Sequence, residues 1–404
     1  MTNGYKTNGY KFAEVCDVLN GRAYKQDELL DEGKYPVLRV GNFFSSDKWY
    51  YSNLELSDDK YCDKEDLLFA WSASFGPKIW KAGKSIYHYH IWKLIPNKDY
   101  IDKFYLYYWL KNSVNRITAG THGSVMAHMT KADMENQMIY LPPLVSQQKV
   151  GNILKVFDDK IETNKKINEN LLEQIRTLCN AWLVDYIPFA GTCPDDWKLM
   201  SLSEIAVFIS GYSYKGTDLQ QSNIAMATIK NFDRSGGFKL EGYKEIVPSK
   251  KVKPEQHAAL FDTLVAHTDL TQNAEVIGNA EPILSLAGYE DIIFSMDVVK
   301  VIPKSDELSK FMIAALLQTS QFKAHCLGYV NGTTVLHLSK KALPEYKLQL
   351  PSDFSILKPL DDALSSMYMA IANNIEENTR LAITRDSLLP NLMSGEIDVS
   401  MLDI

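Results

Sequence analysis

The sequence predicts an α+β chain: two globular units of mixed β-structure with short helices, separated by two long helices that pair as an antiparallel coiled coil, with a pseudo-twofold internal repeat. Three observations carry this expectation. The chain matches itself at a shift of about half its length, each copy closes on the same Leu-Pro step, and each Leu-Pro leads into a heptad seam. The 404 residues, 46% of them hydrophobic, supply material for two or three packed domains. A period of about 200 residues that occurs only twice excludes a short-repeat solenoid.

The repeat opens with LNGRAYK (19–25) and ISGYSYK (209–215), aligning Gly21 with Gly211, Tyr24 with Tyr214 and Lys25 with Lys215. PVLRVGNF (36–43) and AMATIKNF (225–232) follow, alternating apolar runs that read as strands and end on Asn-Phe. DLLFAWSAS (66–74) matches DTLVAHTDL (262–270), an apolar strand running into a polar turn. GSVMAHMTKADM (123–134) matches GTTVLHLSKKAL (332–343) without a gap, pairing His128 with His337 and Lys131 with Lys340. The copies close at Leu141-Pro142 and Leu350-Pro351.

Beyond each Leu-Pro the period becomes helical. Alternating steps of four and three from Val150 reach Leu154, Phe157, Ile161, Asn164, Asn168, Leu171, Ile175, Leu178 and Trp182. The same steps from Leu360 reach Leu364, Met367, Ile371, Asn374, Asn378, Leu381, Arg385, Leu388 and Leu392. Both seams carry Ile-x-x-Asn-x-x-x-Asn-x-x-Leu, so Asn164, Asn168, Asn374 and Asn378 fall in an apolar stripe, where an amide must find a polar partner and thereby sets register. The two helices are expected to pair with each other; the alternative is two independent helices, each packed on its own unit. At ~1.5 Å per residue each would be about 50 Å long. The expected division is 1–144, first globular unit; 145–187, central long helix; 188–352, second globular unit; 353–404, C-terminal long helix and tail. Two such units on an antiparallel pair resemble a dimeric DNA reader, whose half-sites lie one or more helical turns (~34 Å each) apart.

Five cysteines without CxxC spacing argue against a disulfide framework and a structural zinc site, and point to a reducing, cytoplasmic compartment. No stretch approaches the ~20 apolar residues that span a bilayer, so no membrane partner is expected. The net charge of −7 discourages a polyanion partner at first sight. By segment, however, residues 1–144 carry 18 basic and 17 acidic groups, whereas 352–404 carry 3 and 9. The acidity is concentrated in the last helix and tail, which leaves the globular units nearly neutral.

LPPLVSQQKVGNILKVFDDKIETNKKINENLLEQIRTLCNAWLVDY (141–186), DLLFAWSASFGP (66–77) and LLPNLMSGEI (388–397) together resemble the specificity (S) subunit of Type I restriction-modification systems, over essentially the whole chain and in the family's order. The second Leu-Pro, in LPSDFSILKPL (350–360), lacks the Gln that follows the first. The resemblance implies that the globular units are target-recognition domains and that the chain is not itself catalytic. It implies double-stranded DNA, two methyltransferase (M) subunits and, in the nuclease form, restriction (R) subunits as partners. S-adenosylmethionine, ATP and Mg²⁺ belong to those partners. Consistently, the chain has no GxxxxGK[ST] loop, no GxGxxG after a strand and no Asn/Asp-Pro-Pro-aromatic motif.

Two loops are the first candidates for DNA readout. Thr121-His122-Gly123-Ser124 and Val330-Asn331-Gly332-Thr333 precede the matched histidines; Gly permits close approach, while His122, Ser124, Asn331 and Thr333 can bond base edges or phosphates. Trp71-Ser72 and His267-Thr268 end the matched strands. Arg22, Lys25, Arg39, Asn42, Lys78, Lys131, Lys215, Lys230, Asn231, Arg234 and Lys340 add candidate phosphate or base contacts, each with a solvated surface charge as the alternative. His128 and His337 suit a shared fold role or a shared backbone contact. His88 and His90 in YHYHIW (87–92) lack a third ligand at usable spacing, which favours a structural or DNA-facing role over a metal. PDDWK (194–198) superficially resembles a nuclease cluster, yet reads as a turn leading into the strand at Trp197. No catalytic or metal-binding residue is assigned. The competing reading is a coiled-coil interaction scaffold without DNA contact.

Overall fold

The structure, a computed structural model, describes residues 6–44, 48–72, 74–119, 129–234, 236–271 and 273–402, without side chains at 115–119. It divides into two compact units, 1–160 with 381–404, and 161–380. The sequence boundaries fall at the ends of the long helices, whereas this division cuts through both, so each unit takes a segment of each.

The two units share one sheet topology. In the first, an antiparallel sheet runs in the order Cys16–Asn20, Ile91–Pro96, Leu67–Ser72, Ser74–Ile79. In the second the order is Ala206–Ser210, Val298–Pro303, Thr263–Ala266, Ala280–Pro282. The central strands are apolar runs buried on both faces: Leu67, Leu68, Phe69 and Ala70 in one, Leu264, Val265 and Ala266 in the other, all at 1% exposure or less. A second ladder places Tyr35–Leu38 parallel to Ser85–Tyr87, and Ile224–Ala227 parallel to Asp291–Phe294.

Each globular fold is closed by pairing its first strand with its last: Asn8–Lys11 with Met138–Leu141, and Lys198–Ser201 with Lys347–Leu350. Proline follows each closing strand and cannot extend the ladder, which is the physical content of the repeated Leu-Pro. Each opening strand turns into a one-turn helix, Phe12–Val15 or Leu202–Ile205, where Glu14 and Glu204 accept the free backbone N–H groups of Lys11 (2.8 Å) and Ser201 (2.6 Å).

Gly21 and Gly211 are aligned for a steric reason. A Cβ on Gly21 would lie 2.4 Å from the carbonyl oxygens of Tyr87 and His88, and one on Gly211 would lie 2.2 Å from that of Ser295 and 2.5 Å from that of Phe294. Backbone meets backbone here, leaving no side chain to give way.

The central helix spans Leu144–Leu183 and the C-terminal helix Lys358–Ser394. Its first turn explains the Gln of the Leu-Pro-Pro-Leu-x-x-Gln motif. Gln147, 1% exposed, donates to the carbonyls of Tyr100 and Pro142 (2.9 Å each) and accepts from Asp102 N–H (3.0 Å), clamping the helix to the first globular fold. At the second helix, Asp353 instead caps Ser355 N–H at 2.9 Å.

Within the second unit the helices run antiparallel, and the four seam asparagines meet. Asn374 donates to Asn168 at 2.7 Å and Asn164 donates to Asn378 at 2.9 Å, with a further bond from Asn164 to Glu377 at 2.6 Å. A shift of one heptad would part all four amides in a mostly apolar seam, so these bonds discriminate against other registers. Within the first unit the same antiparallel sense sets Arg385 against Asp158, which also accepts the Tyr108 hydroxyl at 2.6 Å.

In the second unit a chain of polar contacts ties the globular fold to the C-terminal helix. Tyr368 donates to Gln318 (2.7 Å), Gln318 donates to Glu281 (3.0 Å), and Glu281 accepts from Gly237 N–H (2.7 Å). Burial pushes the Glu281 carboxyl up to about 7, against the lowering influence of Gly237 N–H and nearby Arg176. A raised acid stabilises the fold fully below its ordinary value of 4.5, and that contribution is lost as pH climbs through about 7. Glu281→Gln is therefore expected to flatten the stability profile between these limits and to make the variant comparatively more stable at pH 8 than at pH 5. Urea denaturation across that range tests this; parallel wild-type and variant profiles would refute it.

Candidate nucleic-acid interface

In the first unit the structure gathers Arg22, Arg39 and Trp71 around the His88–His90 turn. Arg22 N–H donates to the Tyr87 carbonyl (3.0 Å), and Arg22 O accepts from Tyr89 N–H (3.1 Å). Its guanidinium forms a bidentate pair with Glu28 (2.7 and 3.0 Å) and lies 5.2 Å from the Tyr24 ring. Arg39 stacks on Tyr50 at 4.3 Å. The Trp71 indole N–H donates to the Tyr89 carbonyl at 2.8 Å. Behind it, Trp71, Trp92 and Phe69 stack in a column, with centroids 5.5 and 6.1 Å apart, that carries the fully buried core out to the surface. Burial, with His90 and Arg39 close by, lowers His88 to about 4, so at neutral pH it is a neutral imidazole that can both donate and accept.

In the second unit His267, Thr268, Asn331 and His337 come together through one small ladder, in which Thr268 and Asn331 each stand opposite His337. Thr268 Oγ1 lies 3.4 Å from His337 Nδ1. Burial, then the neighbouring His337 and Lys340, lowers His267 to about 4, again a neutral imidazole. Asn331, Thr333, His337 and Lys340 are exposed. The matching first-unit loop, with His122, Ser124 and His128, lies outside the described residues.

Several sequence candidates take structural positions instead. Asn231 is fully buried, its amide donating to Lys239 O and its oxygen accepting from Thr228 N–H, both at 2.8 Å. Asn42, 9% exposed, donates to Lys48 O at 2.8 Å. The repeated Asn-Phe thus pins the loop after a strand, and neither amide is placed to read a base. Ser72 and Thr268 are buried at 3% and 6%, beneath Trp71 and His267. Lys78 is half-buried with its ammonium donating to Phe43 O at 2.6 Å, and burial lowers its pKa, so it is a poor phosphate contact. Lys131 pairs with Glu135 on its own short helix at 3.4 Å, and Arg234 with Glu275 at 3.0 Å. Lys25, Lys215 and Lys230 are exposed. PDDWK forms a turn whose Trp197 is buried against Tyr186 and Phe189, with the strand beginning at Lys198. Among the described residues no group of three His, Cys, Asp or Glu side chains is arranged to hold a metal, and no helix is long and apolar enough to cross a membrane.

The residues that sequence reasoning passed over are the exposed turn residues Tyr89 and Met296. YHYHIW and FSMDVV share almost no identity, so only the backbone pairing reveals that they are equivalent.

Two folds of one sheet topology, each packed with segments of both long helices, define a protein built by internal duplication. Residues 7–173 match the family model of the Type I restriction modification DNA specificity domain. The chain is 25% identical over 396 residues to the Type I restriction enzyme MjaVIII specificity subunit of Methanocaldococcus jannaschii, covering 92% of this chain and 91% of that one. It is 22% identical over 346 residues to the HindI specificity subunit of Haemophilus influenzae, covering 70% and 74%. Its fold matches the crystal structure of the Type I restriction-modification S subunit from M. genitalium with a TM-score of 0.58, at 16% identity and 97% coverage of both chains. The chain is thus similar, over most of its length, to the specificity subunits of Type I restriction-modification systems, and residues 7–173 match their DNA specificity domain.

Proposed function

We propose that this subunit selects a bipartite DNA sequence, one half-site per recognition domain, while its helix pair carries two methyltransferase subunits and, where present, restriction subunits. The observation that carries the reading is the duplication itself: one backbone topology occurs twice with different exposed side chains, as two readers of different half-sites require. The subunit is non-catalytic in this reading. Adenine methylation with S-adenosylmethionine, and ATP- and Mg²⁺-dependent translocation and cleavage, belong to the partners in the cytoplasm. Near-neutral recognition domains fit this division, because much of the electrostatic grip on DNA then comes from the assembled complex.

Exchanging residues 1–144 for another such domain, in complex with the methyltransferase, is expected to change one half of the methylated sequence and leave the other intact. Sequencing of methylated adenines reads this directly; a change in both halves or in neither would refute independent modules. A scaffold without DNA contact predicts no salt-dependent affinity for DNA even with the methyltransferase present, whereas phosphate contacts give an affinity that falls steeply as salt rises.

A further inference from the structure

One turn recurs in both units with the same backbone and different side chains. In the first, Tyr89 and His90 occupy its centre, closed by Ile91 N–H to His88 O at 2.9 Å; in the second, Met296 and Asp297 do, closed by Val298 N–H to Ser295 O at 3.1 Å. The anchors match as well. Tyr89 N–H donates to Arg22 O (3.1 Å) and Met296 N–H to Tyr212 O (3.0 Å), while Trp71 N–H donates to His90 O (3.1 Å) and His267 N–H to Asp297 O (2.8 Å). The first central residue is a large apolar side chain left in solvent in both copies, 39% exposed at Tyr89 and 59% at Met296.

Exposed apolar side chains scattered singly need no explanation. These two are not scattered: they occupy one equivalent position, held by close-packed backbone on Gly21 and Gly211 and braced by Trp71 or His267. A rigid backbone presenting a variable tip is what a reader of different sequences needs. Arg39 lies beside the first turn and Lys340 beside His267 at the second, cations that a polyanion would meet there, with Asp297 as the carboxylate within the second turn itself. We propose that Tyr89 and Met296 are specificity-determining positions that enter a groove of duplex DNA and contact base edges, one in each half-site. This rests on the bipartite reading above. Tyr89 offers a ring face and a hydroxyl that can donate or accept. Met296 has no strong donor and makes apolar contact, of which the thymine methyl is the outstanding target in the major groove.

The test uses the assembled methyltransferase complex and maps methylated adenines genome-wide for wild type, Tyr89→Ala, Met296→Ala and a control, Met138→Ala, at a strand residue 46% exposed in the first unit. Each tip variant is expected to relax discrimination about tenfold at one or two base pairs of a single half-site, a different one for each variant, with the control unchanged. Co-purification with the methyltransferase reports whether a variant still folds and assembles. An unchanged recognition sequence in either assembled tip variant overturns the proposal, as does uniform loss of methylation at every site with assembly intact, since the tip then serves affinity and not base choice. Wild-type methylation that is not bipartite overturns instead the reading on which the proposal rests.

Discussion

Arg385→Ala is expected to be among the most destabilising single substitutions in the helix pair, at about 3 kcal/mol. The guanidinium is 12% exposed and pairs with Asp158, itself 27% exposed and bonded to the Tyr108 hydroxyl. Truncation removes the cation and leaves the partly buried Asp158 carboxylate with the Tyr108 hydroxyl as a neutral donor and the more distant Lys111 ammonium as a counter-charge. The heptad places Arg385 where an apolar residue belongs, so the site is costly to solvate and costly to break. Urea denaturation of the variant measures the loss. Arg385→Leu combined with Asp158→Asn removes both charges, keeps an acceptor for Tyr108 and is expected to recover most of it. If the double variant is no more stable than Arg385→Ala, the loss comes from packing of the arginine stem and not from the unpaired charge.

Gly211→Ala is expected to cost about 2–3 kcal/mol and to disturb the second half-site selectively. The added methyl would meet Ser295 O at 2.2 Å, so the strand or the Ser295–Val298 turn must move, and that turn carries Met296. Gly21→Ala is expected to do the same to the first half-site through His88 and Tyr87. Gly216→Ala, with nothing within 4 Å of the new methyl, provides a nearby control expected to be nearly neutral. Thermal unfolding together with the methylation pattern separates these outcomes; an undisturbed second half-site in a destabilised Gly211→Ala protein would refute the coupling of that glycine to the turn.

The internal repeat and the heptads were legible because both follow from periodicity. A shift of roughly 190 residues aligned LNGRAYK with ISGYSYK and PVLRVGNF with AMATIKNF, and the structure places these segments in equivalent strands. Counting placed the four asparagines in the two seams, while the antiparallel docking decided that Asn164 meets Asn378 and Asn168 meets Asn374. The roles of polar residues within the repeat were not legible by such counting. Asn42 and Asn231 are candidate phosphate or base contacts by sequence, but an amide that closes a loop and an amide that reads a base have the same sequence signature. Burial separates the two roles, and burial depends on which strands cover the loop.

Sequence alone determined the order of elements, the duplication and the long helices, because local hydrophobic period and self-similarity are properties of the linear chain. Only the tertiary structure decided which side chains stand at the surface of the recognition folds. Gly21 meets Tyr87 and His88, and Gly211 meets Phe294 and Ser295, across more than sixty residues of chain, and these contacts set the turns that expose Tyr89 and Met296. The two turns agree in backbone hydrogen bonds while differing in side chains, so their equivalence arises from strand pairing and leaves almost no trace in residue identity.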